Sequence, residues 1–282
     1  MNTEQLQFFI THALQEDVGD GDHTTLSCIS SDAQGTAALK IKQEGVLAGV
    51  DVAKHIFNHL DNKVEFNAFI EDGTLVNPGQ IAFEVIGSVH TILTAERLVL
   101  NTMQRMSGIA TLTRRYVDKI KSYPAKLLDT RKTTPNFRMM EKEAVRIGGG
   151  TNHRYGLYDM ILIKDNHIDY CGSIEKAINM AYDYVQKNNK KIEIEVETRN
   201  LDDVKKALST QKVDRIMFDN FTPEQICEAI KWIDGRCLTE ASGGIHLDNI
   251  ESYAATGVDF ISSGALIHQA QSIDLSLKAV LH

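Results

Sequence analysis

The chain has 282 residues, 43% hydrophobic and 24% charged, which is enough to bury a full core in one large or two modest domains. Its formal net charge of -8 gives no footing for nucleic acid or an anionic membrane, so any anion site has to be a local concentration of cations. In chain order, an amphipathic start carrying Leu6, Phe8, Phe9, Ile10 and Leu14 runs into an acidic, glycine-broken loop, Glu16 to Asp22. Strand-like runs follow at 36–43, 64–70 and 80–86, punctuated by Gly73 and the turn Asn77-Pro78-Gly79. The periodicity then predicts a helix over 91–123, broken into two at Ser107-Gly108, with the domain boundary at that break.

From Lys126 the pattern becomes strand, loop, helix, repeated. The strand candidates are 126–129, 159–164, 191–197, 215–219, 236–241 and 259–263. Helical segments between them open on capping residues: Ser173, Asn200, and Thr222 followed by Pro223. Alternation of this kind predicts a parallel α/β sheet, closed or nearly closed into a barrel; six strands leave an incomplete barrel or an open doubly wound sheet as the two forms.

No apolar run approaches the ~18 residues that would span a bilayer. Residues 1–20 lack the basic-then-apolar order of a signal peptide, and Cys28, Cys171, Cys227 and Cys237 form no C-x-x-C. The expectation is a cytoplasmic protein without disulfides or zinc.

In a parallel barrel the functional groups stand at the carboxyl ends of the strands. Those ends here read Asp129-Thr130-Arg131-Lys132-Thr133-Thr134, Lys164-Asp165-Asn166-His167, Glu195-Val196-Glu197-Thr198, Asp219-Asn220, Glu240-Ala241-Ser242-Gly243-Gly244 and Ser262-Ser263-Gly264. Ser242-Gly243-Gly244 and Ser263-Gly264 follow consecutive strands, where glycine lets backbone N–H groups close on a phosphate; either alone reads more readily as a tight turn, and the pair at this place favours phosphate. Arg131, Lys132, His153, Arg154 and Lys164 converge on the same rim as a set of anion-binding cations rather than a solvated basic face. Glu195 and Glu197 share one side of their strand, and with Asp219 they are placed to hold Mg²⁺ or to stabilise a developing sugar cation. For Glu195, an ion pair with Arg131 or Lys164 is an equal alternative.

The run Thr130-Arg-Lys-Thr-Thr-Pro135, then Gly148-Gly-Gly with His153-Arg154, Lys164-Asp-Asn-His167, Glu195-Val-Glu197, Asp219-Asn220 and Glu240-Ala-Ser-Gly-Gly-Ile245 resembles the quinolinate phosphoribosyltransferases, also called nicotinate-nucleotide pyrophosphorylases (carboxylating). The similarity extends through Glu96-Arg97, Asn101 and Ser107-Gly108-Ile109-Ala110, and back to Glu16 to Asp22, covering nearly the whole chain.

The resemblance implies an N-terminal α/β sandwich over 1–108, an incomplete α/β barrel that binds phosphate over 109–270, and a C-terminal segment, 271–282, packing back on the first domain. It implies transfer of ribose 5-phosphate from phosphoribosyl pyrophosphate to quinolinate with loss of CO₂, giving nicotinate mononucleotide and pyrophosphate for NAD synthesis. Lys132, Glu197 and Asp219 would be catalytic, with Glu197 and Asp219 meeting Mg²⁺ directly or through water. Arg97, Arg131, Thr133, His153, Arg154, Lys164, Ser242, Gly243, Gly244, Ser263, Gly264 and Ala265 would bind the substrates, Ser263 and Ala265 through backbone alone. Arg97 would come from the neighbouring subunit of a homodimer or hexamer. The alternatives are a related transferase acting on another pyridine acid and a non-catalytic sensor of a phosphate ligand.

Overall fold

In the computed structural model, which describes residues 2–280, the elements in chain order are α1 (Thr3–Val18), α2 (His23–Cys28), β1 (Gln34–Ile41), β2 (Gly45–Val46), α3 (Val50–Leu60), β3 (Glu65–Ala68), β4 (Leu75–Val76), β5 (Ile81–Ser88) and α4 (Val89–Ile120). There follow β6 (Lys126–Leu128), α5 (Arg138–Ile147), β7 (Ile161–Ile163), α6 (Asp165–Cys171), α7 (Ile174–Lys187), β8 (Ile194–Thr198), α8 (Leu201–Thr210), β9 (Arg215–Asp219), α9 (Pro223–Ile233), β10 (Leu238–Ser242), α10 (Ile250–Ala254), β11 (Phe260–Ser262), α11 (Ala265–His268) and β12 (Leu275–Ala279). Two compact units result. One holds the described residues of Met1–Arg114, Thr133–Gly149 and Leu266–His282, the other Arg115–Lys132 and Gly150–Ala265. None of the described helices is long and apolar enough to cross a membrane.

The first unit is built on an antiparallel sheet in the order β12-β1-β5-β3. Helix α3 buries Val52, Ala53, Ile56 and Phe57, spaced as one helical face. Phe57 meets Phe66 of β3 and Phe83 of β5 at ring-centroid distances of 6.1 and 6.3 Å, so the aromatic cluster fixes helix to sheet. The terminal strand β12 runs along β1 from Ala37↔Ala279 to Ile41↔Leu275.

Helix α4 is unbroken through Ser107-Gly108, contrary to the break read from sequence. The glycine is there for close approach: a Cβ on Gly108 would lie 2.1 Å from the Gln271 carbonyl oxygen. Ser107 is fully buried, and its Oγ accepts from Ala48 N at 2.9 Å and donates to Ala48 O at 3.1 Å. Both residues mark a contact inside a helix, which local propensity cannot tell from a terminus.

The second unit is an all-parallel sheet in the order β6-β11-β10-β9-β8-β7. Strands β7 to β11 lie in sequence order and β6 joins beyond β11, which is the winding of a barrel; a doubly wound sheet reverses its order. Among the described residues β6 and β7 are not paired with each other, so the barrel is incomplete. Thr151 bridges to Leu128 on the open edge of β6, its N–H donating to Leu127 O at 2.8 Å. All five residues of β8 are buried, as a central parallel strand requires. The helix starts read from sequence are capped as expected: Ser173 accepts from Lys176 N, Asn200 from Asp203 N, and Thr222 with Gln225 closes a capping box ahead of Pro223.

Candidate functional site

At the carboxyl ends of the second unit's strands lies a cavity of about 480 Å³. It is lined by Thr130, Arg131 and Lys132 after β6, His153 and Arg154 before β7, Lys164 and Asp165 after it, Glu197 of β8 and Asp219 of β9. Glu240, Ser242 and Gly243 come from β10 and its turn, Ser262 from β11. Nine of the residues picked out from sequence therefore meet in one place: Arg131, Lys132, His153, Arg154, Lys164, Glu197, Asp219, Ser242 and Gly243.

Six others stand elsewhere relative to that lining. Arg97 is exposed on α4 of the first unit, and Thr133 accepts from Arg138 Nε at 2.9 Å in that same unit. Gly244 is exposed, one residue past Gly243. Ser263 is buried, with Oγ donating to Ile245 O at 2.9 Å; Gly264 and Ala265 follow it into α11. Thr130, Asp165, Glu240 and Ser262 line the cavity without having been selected, although the strand-end rule that found their neighbours covers each of them.

The first cations sit on loops held by buried acids. Asp129, fully buried at the end of β6, accepts from His153 N at 2.8 Å through Oδ1 and from Asn152 Nδ2 at 2.7 Å through Oδ2. Arg154 donates through Nη1 to Met160 O at 3.2 Å, which ties it to the approach into β7. Burial lowers its proton affinity, and the adjacent charge of Arg131 lowers it further. Two guanidinium groups facing one cavity repel each other until an anion enters.

The acids divide by depth. Glu197 accepts from Lys164 Nζ at 3.2 Å, so the lysine that follows β7 is paired with Glu197 and not with Glu195. Asp219, half-buried at the end of β9, accepts from Asn220 Nδ2 at 2.8 Å. Glu195 lies deeper, fully buried, 3.0 Å from His153 Nε2; Glu240 is 3.3 Å from the same nitrogen. Burial pushes the Glu195 carboxyl up, and the Glu240 charge adds to it, to about 7. Glu240 shifts the other way: burial opposes ionisation, but the hydrogen bond from His153 and the charge of Arg215 overcome it. For His153, burial disfavours the charged ring and the two carboxylates favour it; the Arg154 N–H donates to Nδ1 at 2.7 Å and keeps that nitrogen an acceptor, so the ring carries one proton, on Nε2.

Beyond β10 the backbone turns through Gly243 at φ +88° and Gly244 at φ +62°. Glycine adopts two successive positive-φ conformations without strain, and the missing Cβ atoms leave the backbone of this turn open to close approach. Ser262 Oγ donates to Ser242 Oγ at 3.0 Å, joining this turn to the end of β11.

The chain matches the family described as Quinolinate phosphoribosyl transferase, C-terminal domain, over residues 109–278, and its N-terminal domain over 22–107. It is 42% identical over 291 residues to quinolinate phosphoribosyltransferase [decarboxylating] 1b of Nicotiana tabacum, covering 98% of this chain and 83% of the relative. It is 42% identical over 281 residues to a probable nicotinate-nucleotide pyrophosphorylase [carboxylating] of Bacillus subtilis (strain 168), covering 100% and 96%. Among solved structures, the nicotinate-nucleotide pyrophosphorylase of Francisella tularensis superposes with a TM-score of 0.91 at 40% identity, over 99% of this chain and 98% of that one. With both halves of the chain and the fold in agreement, the protein belongs to the quinolinate phosphoribosyltransferase family.

Proposed function

We propose that the protein transfers the phosphoribosyl group of phosphoribosyl pyrophosphate to the ring nitrogen of quinolinate and releases CO₂, pyrophosphate and nicotinate mononucleotide, in the cytoplasm. The observation that carries this reading is the single cavity in which Arg131, Lys132, Arg154 and Lys164 face Glu197, Asp219 and the Ser242-Gly243 turn. One substrate is a dianion and the other carries several charges. Each well-made charged hydrogen bond contributes about 1.5 to 3 kcal/mol, so a group of cations offsets the cost of desolvating both. Arg131, Arg154 and Lys164 take the two quinolinate carboxylates, and His153 serves them through the Arg154 backbone that donates to its Nδ1. Lys132 stands between the acid and the pyrophosphate, and Ser242, Gly243, Gly244, Ser263, Gly264 and Ala265 hold the 5-phosphate.

The bond between the anomeric carbon and the pyrophosphate oxygen breaks with its electron pair leaving on oxygen, and the ring nitrogen supplies the pair for the new C–N bond. Glu197 and Asp219 face the sugar carbon as positive charge develops there. Ribosylation makes the ring cationic. That cation then accepts the electron pair left when CO₂ departs from the adjacent carbon, which finally takes up a proton. No covalent link to the protein forms.

Glu197 and Asp219 also fit Mg²⁺, which keeps several waters and takes one or two carboxylates beside substrate phosphates; they are hard oxygen donors from adjacent strands. Bound there, the ion neutralises charge on the departing pyrophosphate. In a homodimer, Arg97 of a second copy completes the quinolinate site.

The test is incubation with quinolinate, phosphoribosyl pyrophosphate and Mg²⁺, following nicotinate mononucleotide and CO₂. Equal turnover of nicotinate without CO₂ would favour a transferase for a monoacid, and ligand binding without pyrophosphate release would make the protein a sensor.

A further inference from the structure

At the floor of the cavity, which His153 and Glu240 line, His153, Glu195 and Glu240 bring three ligand-type atoms within 4.8 Å of one another, all buried, the one grouping of this kind among the described residues. Two hydrogen-bonding facts decide what the grouping does. Arg154 N donates to His153 Nδ1 at 2.7 Å, so Nδ1 presents a lone pair. The proton of a neutral ring therefore sits on Nε2, the nitrogen facing Glu195 and Glu240. A metal would need the lone pair of Nε2, and the ring would have to lose its last proton to give it. Cationic charge is already supplied as well: Arg215 Nη1 donates to Glu240 at 3.0 Å, in a buried pair.

Arg215 is the far end of the set. It opens β9, is 7% exposed, lies 4.3 Å over the Phe260 ring and does not line the cavity. From it a path of short contacts leads upward: Arg215 to Glu240, Glu240 and Glu195 to the Nε2 side of His153, and the Nδ1 side of His153 to the backbone of Arg154. Asp129 holds the backbone of His153 from the β6 side. Every strand from β8 to β10 thus contributes one charged group to the placement of a single cavity arginine.

We infer that Arg215, Glu240 and Glu195 are positioning residues that act through His153 to aim Arg154 into the cavity, and that this buried cluster holds a ring and not a metal ion. The inference rests on the reading that Arg154 takes a carboxylate of the acid substrate. His153 is then valuable for its two engaged nitrogens. Fixing the Arg154 backbone from below leaves the guanidinium pre-set before the substrate arrives, which lowers the ordering cost of binding.

The experiment compares Arg215→Met, Arg215→Met/Glu240→Gln and Arg215→Lys with the unaltered protein. Removing one partner of a buried pair can unfold the chain; the double variant removes both charges of the Arg215–Glu240 pair together and keeps an acceptor for His153, so it stays testable. For folded variants, quinolinate KM is expected to rise about tenfold or more with kcat changed by less than about threefold, because the lost interaction orders the binding site. Arg215→Lys is expected to restore part of the loss. In histidine-labelled protein, the His153 ¹⁵N shifts should show a protonated Nε2 and a bare Nδ1, unmoved by added Zn²⁺ or Mn²⁺.

A folded double variant with unchanged quinolinate KM would overturn the positioning role, and a metal-shifted Nε2 signal would overturn the exclusion of a metal. Absence of any quinolinate turnover by the unaltered protein would instead fault the functional reading on which the inference rests.

Discussion

Gly243 is packed against Asn220 so closely that a Cβ on the glycine would lie 2.4 Å from Asn220 Oδ1 and 2.8 Å from its backbone nitrogen. Asn220 is itself left-handed at φ +57°, donates its N–H to Ser242 O, and uses Nδ2 to hold the Asp219 carboxylate. The two turns after β9 and β10 are therefore one assembly, and it links the glycine amides to an acid of the cavity. Gly243→Ala is expected to cost about 1–2 kcal/mol in backbone strain and to displace Asn220 as well. The KM for phosphoribosyl pyrophosphate should rise at least about tenfold, with quinolinate binding less affected. Gly244→Ala, where a Cβ meets nothing within 4 Å, should give the smaller effect. Equal KM values for the two variants would show that the contact with Asn220 is irrelevant.

The anion cavity itself makes a second prediction. Burial and the charge of Arg131 both weaken the hold of Arg154 on its proton, so a bound dianion relieves repulsion as well as adding contacts. Quinolinate at a hundredfold excess over its Kd should stabilise the protein by about 2.7 kcal/mol, read as a rise in Tm. Arg131→Ala and Arg154→Ala should each fold and lose that rise, together with turnover. A variant with normal quinolinate turnover would remove that arginine from the site.

How much of this was legible in the sequence follows from what each residue depends on. The six strands of the second unit each lie within a candidate run or a residue past its end, because a buried parallel strand is a short apolar run with polar residues immediately after it. The cavity residues Lys164, Glu197 and Asp219 were found by that same rule. The choice of partner was not legible: Glu195 and Glu197 alternate identically, and only the depth of each along β8 sends one to His153 and the other to Lys164. Arg215 was invisible as a participant, since it stands at the start of a strand and reaches the set through Glu240. Ser107-Gly108 misled for a related reason: a glycine required by a segment 163 positions away, at Gln271, looks locally like a helix end.

A stability prediction comes from the first unit. Glu141 of α5 is fully buried and accepts from Arg105 Nε at 3.1 Å and Nη2 at 2.9 Å, from Thr134 N at 2.8 Å and from Thr134 Oγ1 at 2.9 Å. Arg105 also donates to the carbonyls of Ile267 and Ala270. One carboxylate thus ties α4, α5 and the residue after Thr133 into a single network. Arg105 keeps 26% of its side chain exposed, so water offsets part of what it would lose. Glu141→Leu should cost about 3 kcal/mol or more in urea unfolding, because it strips a buried network of its acceptor. Glu141→Gln, which keeps one acceptor oxygen, should cost less. A loss below about 1 kcal/mol for Glu141→Leu, the range of an exposed pair, would show that the network is not what holds these segments.

The last prediction concerns a second copy of the chain. Arg97 is exposed on α4 and is absent from the residues lining the cavity, whereas Lys132 lines it. If a neighbouring subunit supplies Arg97, a site needs Lys132 from one copy and Arg97 from the other, and the two defects fall on different sites when variants are mixed. Arg97→Ala and Lys132→Ala should each be inactive alone. After unfolding and refolding together in equal amounts, half of the two-fold-symmetric pairs would be mixed, and each mixed pair would hold one intact site and one doubly damaged site, so about a quarter of the unaltered activity should return. If instead each chain used its own Arg97, every site in the mixture would lack one of the two groups and no activity would return. Formation of nicotinate mononucleotide against the fraction of each variant separates the two cases, because shared sites give a curve that peaks at equal amounts.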